Sequence, residues 1–170
     1  MEAIKKNQAA PGLDQGQLVH AIERFNTDYC RALDDGRLHD WVEFFTEDAY
    51  YVVSGRENHA ANLPVGLVYC EGKGMLKDRA LAILETSMFA PRYLRHFVTN
   101  TYAEPQDDGT IVAGANYMLT QVLMDQPTAT LHQVGCYLDR FVFENGELKL
   151  QERRAIYDNL LLNNDLVYPV

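Results

Sequence analysis

Residues 130–157 read TLHQVGCYLDRFVFENGELKLQERRAIY, and their reading decides the fold. Two runs rich in Val, Leu, Phe and Tyr are separated by nothing but Asn145-Gly146. Asn-Gly suits the positive φ angles of a tight turn, so it predicts a β-hairpin of strands 130–144 and 147–157. Outward toward the N-terminus, Gln126-Pro127 separates this hairpin from a third run at 110–125. Asp107-Asp108-Gly109 then separates that run from a fourth at 93–104. Connections this short join antiparallel neighbours, because a parallel pair needs a long crossover. The second half of the chain is therefore predicted to be an antiparallel meander.

The first half is different. After a Pro11-Gly12 breaker, Asp14 is a candidate N-cap. Leu18, Ile22, Phe25, Tyr29 and Leu33 follow at helical spacing, and Asp35-Gly36 ends the helix. A second helix is predicted over 38–46, presenting Leu38, Trp41, Val42 and Phe45, so that the two form a helical hairpin. Strands are expected at 49–54 and 65–70, with a polar loop over 55–64 between them. Gly72 to Gly74 read as a break, and a third helix runs over about 75–88 until Pro91 stops it. Helices first and an antiparallel sheet last define an α+β domain. The order of elements resembles the cone-shaped fold of nuclear transport factor 2 and ketosteroid isomerase. Residues 1–13 are expected to be a flexible N-terminal arm, and 14–170 a single domain.

The chain has 170 residues, 47% hydrophobic and 23% charged, which is enough apolar material for one core. A formal net charge of −9 argues against nucleic acid, whose polyanionic backbone needs a basic surface. Cys30, Cys70 and Cys136 are odd in number and far apart, which predicts free thiols and a cytoplasmic protein. The first residues lack a secretory signal, and no run is long enough for a membrane span.

One strand is unusual. Within 110–124, Ile111, Tyr117, Leu119 and Leu123 alternate with Val112, Met118, Val122 and Met124, so both faces are apolar and both need cover. Helices can cover one face, and another subunit is expected on the other. The tail (Leu160 to Leu162, then Leu166, Val167, Tyr168, Pro169 and Val170) is too apolar to hang in solvent and should dock on its own sheet or on a neighbour.

Motifs of direct catalysis are sparse. No Cys has a His within two residues, so the paired Cys and His of a Rieske cluster are missing. His20, His39, His59, His96 and His132 show no ligand spacing, and there is neither a phosphate loop nor a Ser-centred elbow. His96 alternates with Leu94 and Val98. It reads as a general base working with Asp78 or Asp48, or as a structural, hydrogen-bonded His beside Arg95. Asp78 reads as a cavity acid or as a favourable acid near a helix start. Glu57-Asn58-His59 reads as a proton-transfer site or as a polar loop held by its own backbone bonds. Gln151-Glu152-Arg153-Arg154 puts charges mid-strand, as on an edge strand or in an inter-subunit network.

Several stretches, in order, carry a resemblance. They are Arg56-Glu57-Asn58-His59, residues 63–69 (LPVGLVY), 75–79 (MLKDR), 91–96 (PRYLRH), 135–141 (GCYLDRF), 145–153 (NGELKLQER) and 166–170 (LVYPV). Together they resemble the small (β) subunit of Rieske-type aromatic-ring-hydroxylating dioxygenases, of the terephthalate dioxygenase and salicylate 5-hydroxylase kind. The resemblance covers almost all of the chain after residue 14. It implies a structural subunit with no catalytic residue and no cofactor of its own, His96 and Asp78 being the fallback if the chain acts alone. It implies assembly with a large (α) subunit, usually three of each. The large subunit holds a Rieske [2Fe-2S] cluster and mononuclear Fe(II), and a separate reductase supplies electrons from NAD(P)H. Arg79, Arg95, Arg153 and Tyr168 are expected at or near subunit contacts. The rival reading is a stand-alone cone-fold isomerase or dehydratase, and a simple ligand-binding module is a third.

Overall fold

A computed structural model describes residues 12–162 and 168–170. Helix α1 spans Gln15–Asp34 and starts in a reciprocal cap. The Asp14 carboxylate accepts from the Gln17 N–H at 2.8 Å, and the Gln17 side chain accepts from the Asp14 N–H at 3.0 Å. Its apolar stripe, Leu18, Ile22, Phe25, Tyr29 and Leu33, is buried. Helix α2 is Leu38–Val42, shorter than expected, because Phe45 already belongs to strand β1, Phe45–Gly55. The polar loop contains one short helix, α3, Arg56–Ala60. Strand β2 is only Val68–Glu71. Helix α4, Gly72–Leu81, begins at the glycines read as a break, Gly72 entering it at φ +79°. A π-helical turn, Ala82–Thr86, ends it.

Strands β3 (Arg92–Pro105), β4 (Ile111–Leu123), β5 (Thr130–Glu144) and β6 (Glu147–Tyr157) follow as predicted. Asn145 at φ 53° and Gly146 at φ 84° make the hairpin turn. The six strands form one sheet in the order β2-β1-β6-β5-β4-β3. All neighbours are antiparallel except β1 and β6, which run parallel. β6 is thus flanked on both sides, and the charges of 151–154 do not lie on an edge as one reading had it.

Helices α1, α2 and α4 cover the inner face. Between them and the sheet an aromatic cluster fills the space: Trp41 meets Phe45 edge-on at 5.4 Å and Tyr51 at 5.5 Å, and Phe25 meets Phe141 at 5.0 Å. Val170 is wholly buried there. Its carbonyl accepts from the Tyr29 hydroxyl at 3.0 Å and the Tyr51 hydroxyl at 3.2 Å, and its N–H donates to Tyr51 at 2.9 Å. The expected docking of the tail thus holds for its last residue on the chain's own core. Leu160 and Leu161 stay exposed, and Leu166 and Val167 lie outside the described residues, as do residues 1–11 of the expected arm.

Helix α1 also closes one edge of the sheet. Gln15 Nε2 donates to the Ala103 carbonyl of β3, and Asp34 accepts from the His96 N–H of the same strand at 3.2 Å. No helix among the described residues is long and apolar enough to cross a membrane.

Candidate functional site

The centre of the cone is polar, and a cleft of about 560 Å³ opens beside it between α1 and β3, lined by Asn26, Cys30, Asp34 and His96 among others. Arg153 of β6 and Asp139 of β5 are direct cross-strand partners on the inner face. Arg153 donates to the two Asp139 oxygens from Nε at 2.9 Å and Nη2 at 2.7 Å, a bidentate pair with no solvent exposure at the guanidinium. Nη2 also donates to Asn26 Oδ1 of α1 at 2.6 Å. The rings of Tyr29 and Tyr137 flank the cation at 4.3 and 4.0 Å, and Tyr137 stacks on Tyr117 at 4.6 Å. Burial opposes the charge of Arg153, but the Asp139 carboxylate more than offsets it and holds Arg153 above its ordinary value. Burial likewise pushes the Asp139 carboxyl up, with Arg153 pulling the other way. Beside this cluster, burial raises the Tyr29 phenol to about 12 and the Cys30 thiol to about 12. Arg153, expected near a subunit contact, therefore lies inside its own chain, its Nε and Nη2 held by Asp139 and Asn26 and its plane flanked by the two tyrosines, while Nη1 is buried without a hydrogen-bond partner among the described residues.

His96 points inward, as its alternation with Leu94 and Val98 predicts, and its side chain has no solvent exposure. The acid beside it is neither Asp78 nor Asp48. Asp34, at the end of α1, approaches His96 Nδ1 at 2.7 Å. Asp78 is exposed on α4, too far around the helix to face inward, and Asp48 accepts from Thr46 at 2.7 Å and Gln151 at 3.3 Å. His96 Nε2 is buried and makes no hydrogen bond among the described residues. Nothing in the residue types near position 96 signalled Asp34. The signal lies in α1, where Asn26, Cys30 and Asp34 recur every four residues and so share one face with the buried stripe.

The remaining expected residues are scattered. Arg79 is half-buried on α4. Arg95 reaches Asp34 Oδ2 at 3.8 Å with most of its side chain in solvent. Tyr168 packs edge-on against Phe89 at 5.3 Å. Glu57, Asn58 and His59 lie in the short helix α3. Among the described residues no group of three or more His, Cys, Asp or Glu side chains could hold a metal ion.

The outer face of the sheet is open. Cross-strand rows on it are, in order along β3, Tyr93 with Val122, Arg95 with Thr120 and Leu131, and Phe97 with Met118 and Val134. Tyr93, Phe97 and Leu131 are each more than half exposed, and Met118 and Met124 add to the patch. Arg95 and Thr120 form the middle row of this exposed, largely apolar patch, between the Tyr93 and Phe97 rows.

Comparison with known proteins defines the class of this fold: residues 17–154 match the SnoaL-like domain family. The chain is 32% identical over 142 residues to the anthranilate 1,2-dioxygenase small subunit of Burkholderia cepacia, covering 84% of this chain and 88% of that one. It is 30% identical over 149 residues to the terephthalate 1,2-dioxygenase terminal oxygenase component subunit beta 1 of a Comamonas species, covering 88% of this chain and 96% of that one. A crystal structure from Novosphingobium aromaticivorans, assigned as the β subunit of an aromatic-ring-hydroxylating dioxygenase, superposes with a TM-score of 0.81 at 33% identity, covering 90% of this chain and 97% of that one. The chain belongs to the SnoaL-like family, among the small (β) subunits of aromatic-ring-hydroxylating dioxygenases.

Proposed function

We propose that this chain is the non-catalytic β subunit of a terminal oxygenase component, acting as a scaffold for a catalytic large subunit that hydroxylates an aromatic, carboxylated compound. One observation carries the reading: the outer sheet face exposes Tyr93, Phe97, Met124 and Leu131, large apolar side chains that a partner subunit would cover. The interior holds the shape, and the open face meets a partner. The large subunit supplies the Rieske [2Fe-2S] cluster and the mononuclear iron, and a separate reductase delivers electrons from NAD(P)H. Residues 14–170 act as one folding unit, assembled as three β with three α subunits. A cyclic trimer covers apolar surface symmetrically, and Arg79, Arg95 and Tyr168 lie at or near its contacts.

Co-expression with a large subunit of the terephthalate or anthranilate dioxygenase kind tests this reading. The expected result is co-purification and turnover of an aromatic acid by the complex, with neither iron nor turnover in the isolated chain. The Asp34–His96 contact favours one rival, a stand-alone isomerase or dehydratase. Turnover by the isolated chain that is lost in His96→Ala would establish that rival instead.

A further inference from the structure

A cleft of about 350 Å³ lies on the outer face at the β2 end of the sheet, remote in sequence from the Tyr93–Phe97 patch. Its floor is Val52, Ser54 and Ile156, all buried. One wall is the segment Leu63-Pro64-Val65, folded over the sheet by two bonds. The Ser54 hydroxyl donates to the Val65 carbonyl at 2.7 Å, and the Leu67 N–H donates to the Val53 carbonyl at 2.8 Å. Gly66 makes that approach possible, since a Cβ there would sit 2.7 Å from Val52 Cγ2 and 2.8 Å from the Val68 carbonyl oxygen. The opposite side carries Tyr50 and Tyr69, edge-on at 5.4 Å, and the guanidinium of Arg154.

Arg154 is the informative residue. It stands directly across from Val52, which stands across from Tyr69, so all three share the outer face. Its Nε is held by Glu152, and its guanidinium lies over the Tyr50 ring at 4.9 Å. These contacts fix the plane of the group. Its two terminal nitrogens make no hydrogen bond among the described residues. An arginine pre-oriented from behind, with its fork open beside a cleft, matches a carboxylate end-on through two parallel N–H···O bonds. Beyond the fork the cleft offers tyrosine edges and the apolar faces of Leu63 and Pro64, which suit a flat ring, with His59 and Asn62 at its rim as polar groups. The volume lies within the range of small-molecule sites.

We infer that this cleft binds a single-ring aromatic carboxylate, with Arg154 taking the carboxylate and the Tyr50, Tyr69 and Leu63 side chains taking the ring. The formal net charge of −9 makes non-specific anion binding unfavourable, so a carboxylate bound here must be held by the local geometry. Glu152 limits the affinity by sharing the cation, and the ring contacts have to supply the rest.

The test uses the full chain and benzoate, followed by backbone amide NMR, with acetate (charge without ring) and benzyl alcohol (ring without charge) as comparators. The expected result is saturable benzoate binding that shifts amides of residues 50–54, 62–69 and 152–156. Acetate and benzyl alcohol should each bind at least roughly tenfold more weakly, consistent with the loss of an ionic hydrogen-bonded pair or of the ring contacts. Arg154→Lys keeps the charge and removes the fork, and should weaken benzoate by about tenfold with the spectrum otherwise unchanged. Gly66→Ala, which displaces the wall, should do the same without touching any charge. Absence of saturable binding, equal binding of acetate, or benzoate binding indifferent to Arg154→Lys would each overturn the site. Because the readout is binding to this chain alone, failure here leaves the scaffold reading standing.

Discussion

Arg153 and Asp139 face each other across β5 and β6 through two nitrogen–oxygen contacts of 2.9 and 2.7 Å, inside the chain and out of reach of water. A pair of this kind orders the elements that meet it. Here it ties the sheet to Asn26 on α1 and stands between Tyr29 on α1 and Tyr137 on β5. Breaking it from one side leaves a buried charge alone. Arg153→Met is therefore expected to cost about 3–5 kcal/mol in urea unfolding, while Arg153→Met combined with Asp139→Leu should recover much of that loss. A double replacement costing as much as the two single replacements together would show that the pair carries no coupling.

Alkaline pH should unfold the chain cooperatively. Burial raises Cys30 from 9.0 and Tyr29 from 10.0, each to about 12, and raises Tyr51, Tyr117 and Tyr137 well above 10.0. A group whose folded value is raised contributes stability that is full below its unfolded value and is lost as pH rises toward the folded one. Stability should hold up to about pH 9 and fall between roughly 9 and 12. The part of the tyrosinate absorbance that comes from Tyr29, Tyr51, Tyr117 and Tyr137 should rise together with the loss of far-ultraviolet dichroism, and ionisation of these buried rings before unfolding would contradict this.

Asp34→Ala removes the acceptor of both the His96 ring and its backbone N–H. The expected cost is about 1–3 kcal/mol, the desolvation of buried donors left unpaired. Amide exchange at His96 should accelerate more than exchange in the β5–β6 hairpin, which localises the loss to the α1–β3 seam.

Phe97→Glu and Met118→Glu place carboxylates in the middle of the open face. The thermal midpoint of the isolated chain should change little, because both side chains already meet solvent. Co-purification with a large subunit, or self-association on a sizing column, should be lost. Intact assembly in both variants would remove this face from the list of contacts.

Much of this architecture is legible in the sequence, and the exceptions have specific causes. The β5–β6 hairpin follows from Asn145-Gly146, and the inward side of β4 from its alternation. The partner of Arg153 does not. Counting back from the turn without interruption sets Asp139 opposite Glu152, a like-charge pair. A bulge between Arg140 and Phe141 shifts the register by one and sets Asp139 opposite Arg153 instead. No residue type announces that bulge. The parallel pairing of β1 with β6 is equally hidden, since it joins strands about a hundred positions apart, and it is what turns the charged run 151–154 from a supposed edge into the middle of the sheet. The short α2 reflects tertiary override, Phe45 packing against Trp41 and Tyr51 from the first residue of a strand. At the candidate site His96 was visible from its alternation, whereas Asp34 needed the fold to bring the last residue of a helix to a strand 62 positions later.

The seam between α1 and β3 has one more consequence. β3 is a 14-residue edge strand, and a bare edge of that length is a template for another chain's backbone. Gln15 and Asp34, at the two ends of α1, reach two of the strand's main-chain groups, at Ala103 and His96, and the opposite edge, β2, offers only four residues. Main-chain pairing along β3 would have to displace both of these contacts, whereas contacts made by the side chains of the outer face would not. A protease cut or local unfolding that frees α1 would remove both contacts and leave β3 open to pairing with another chain's backbone.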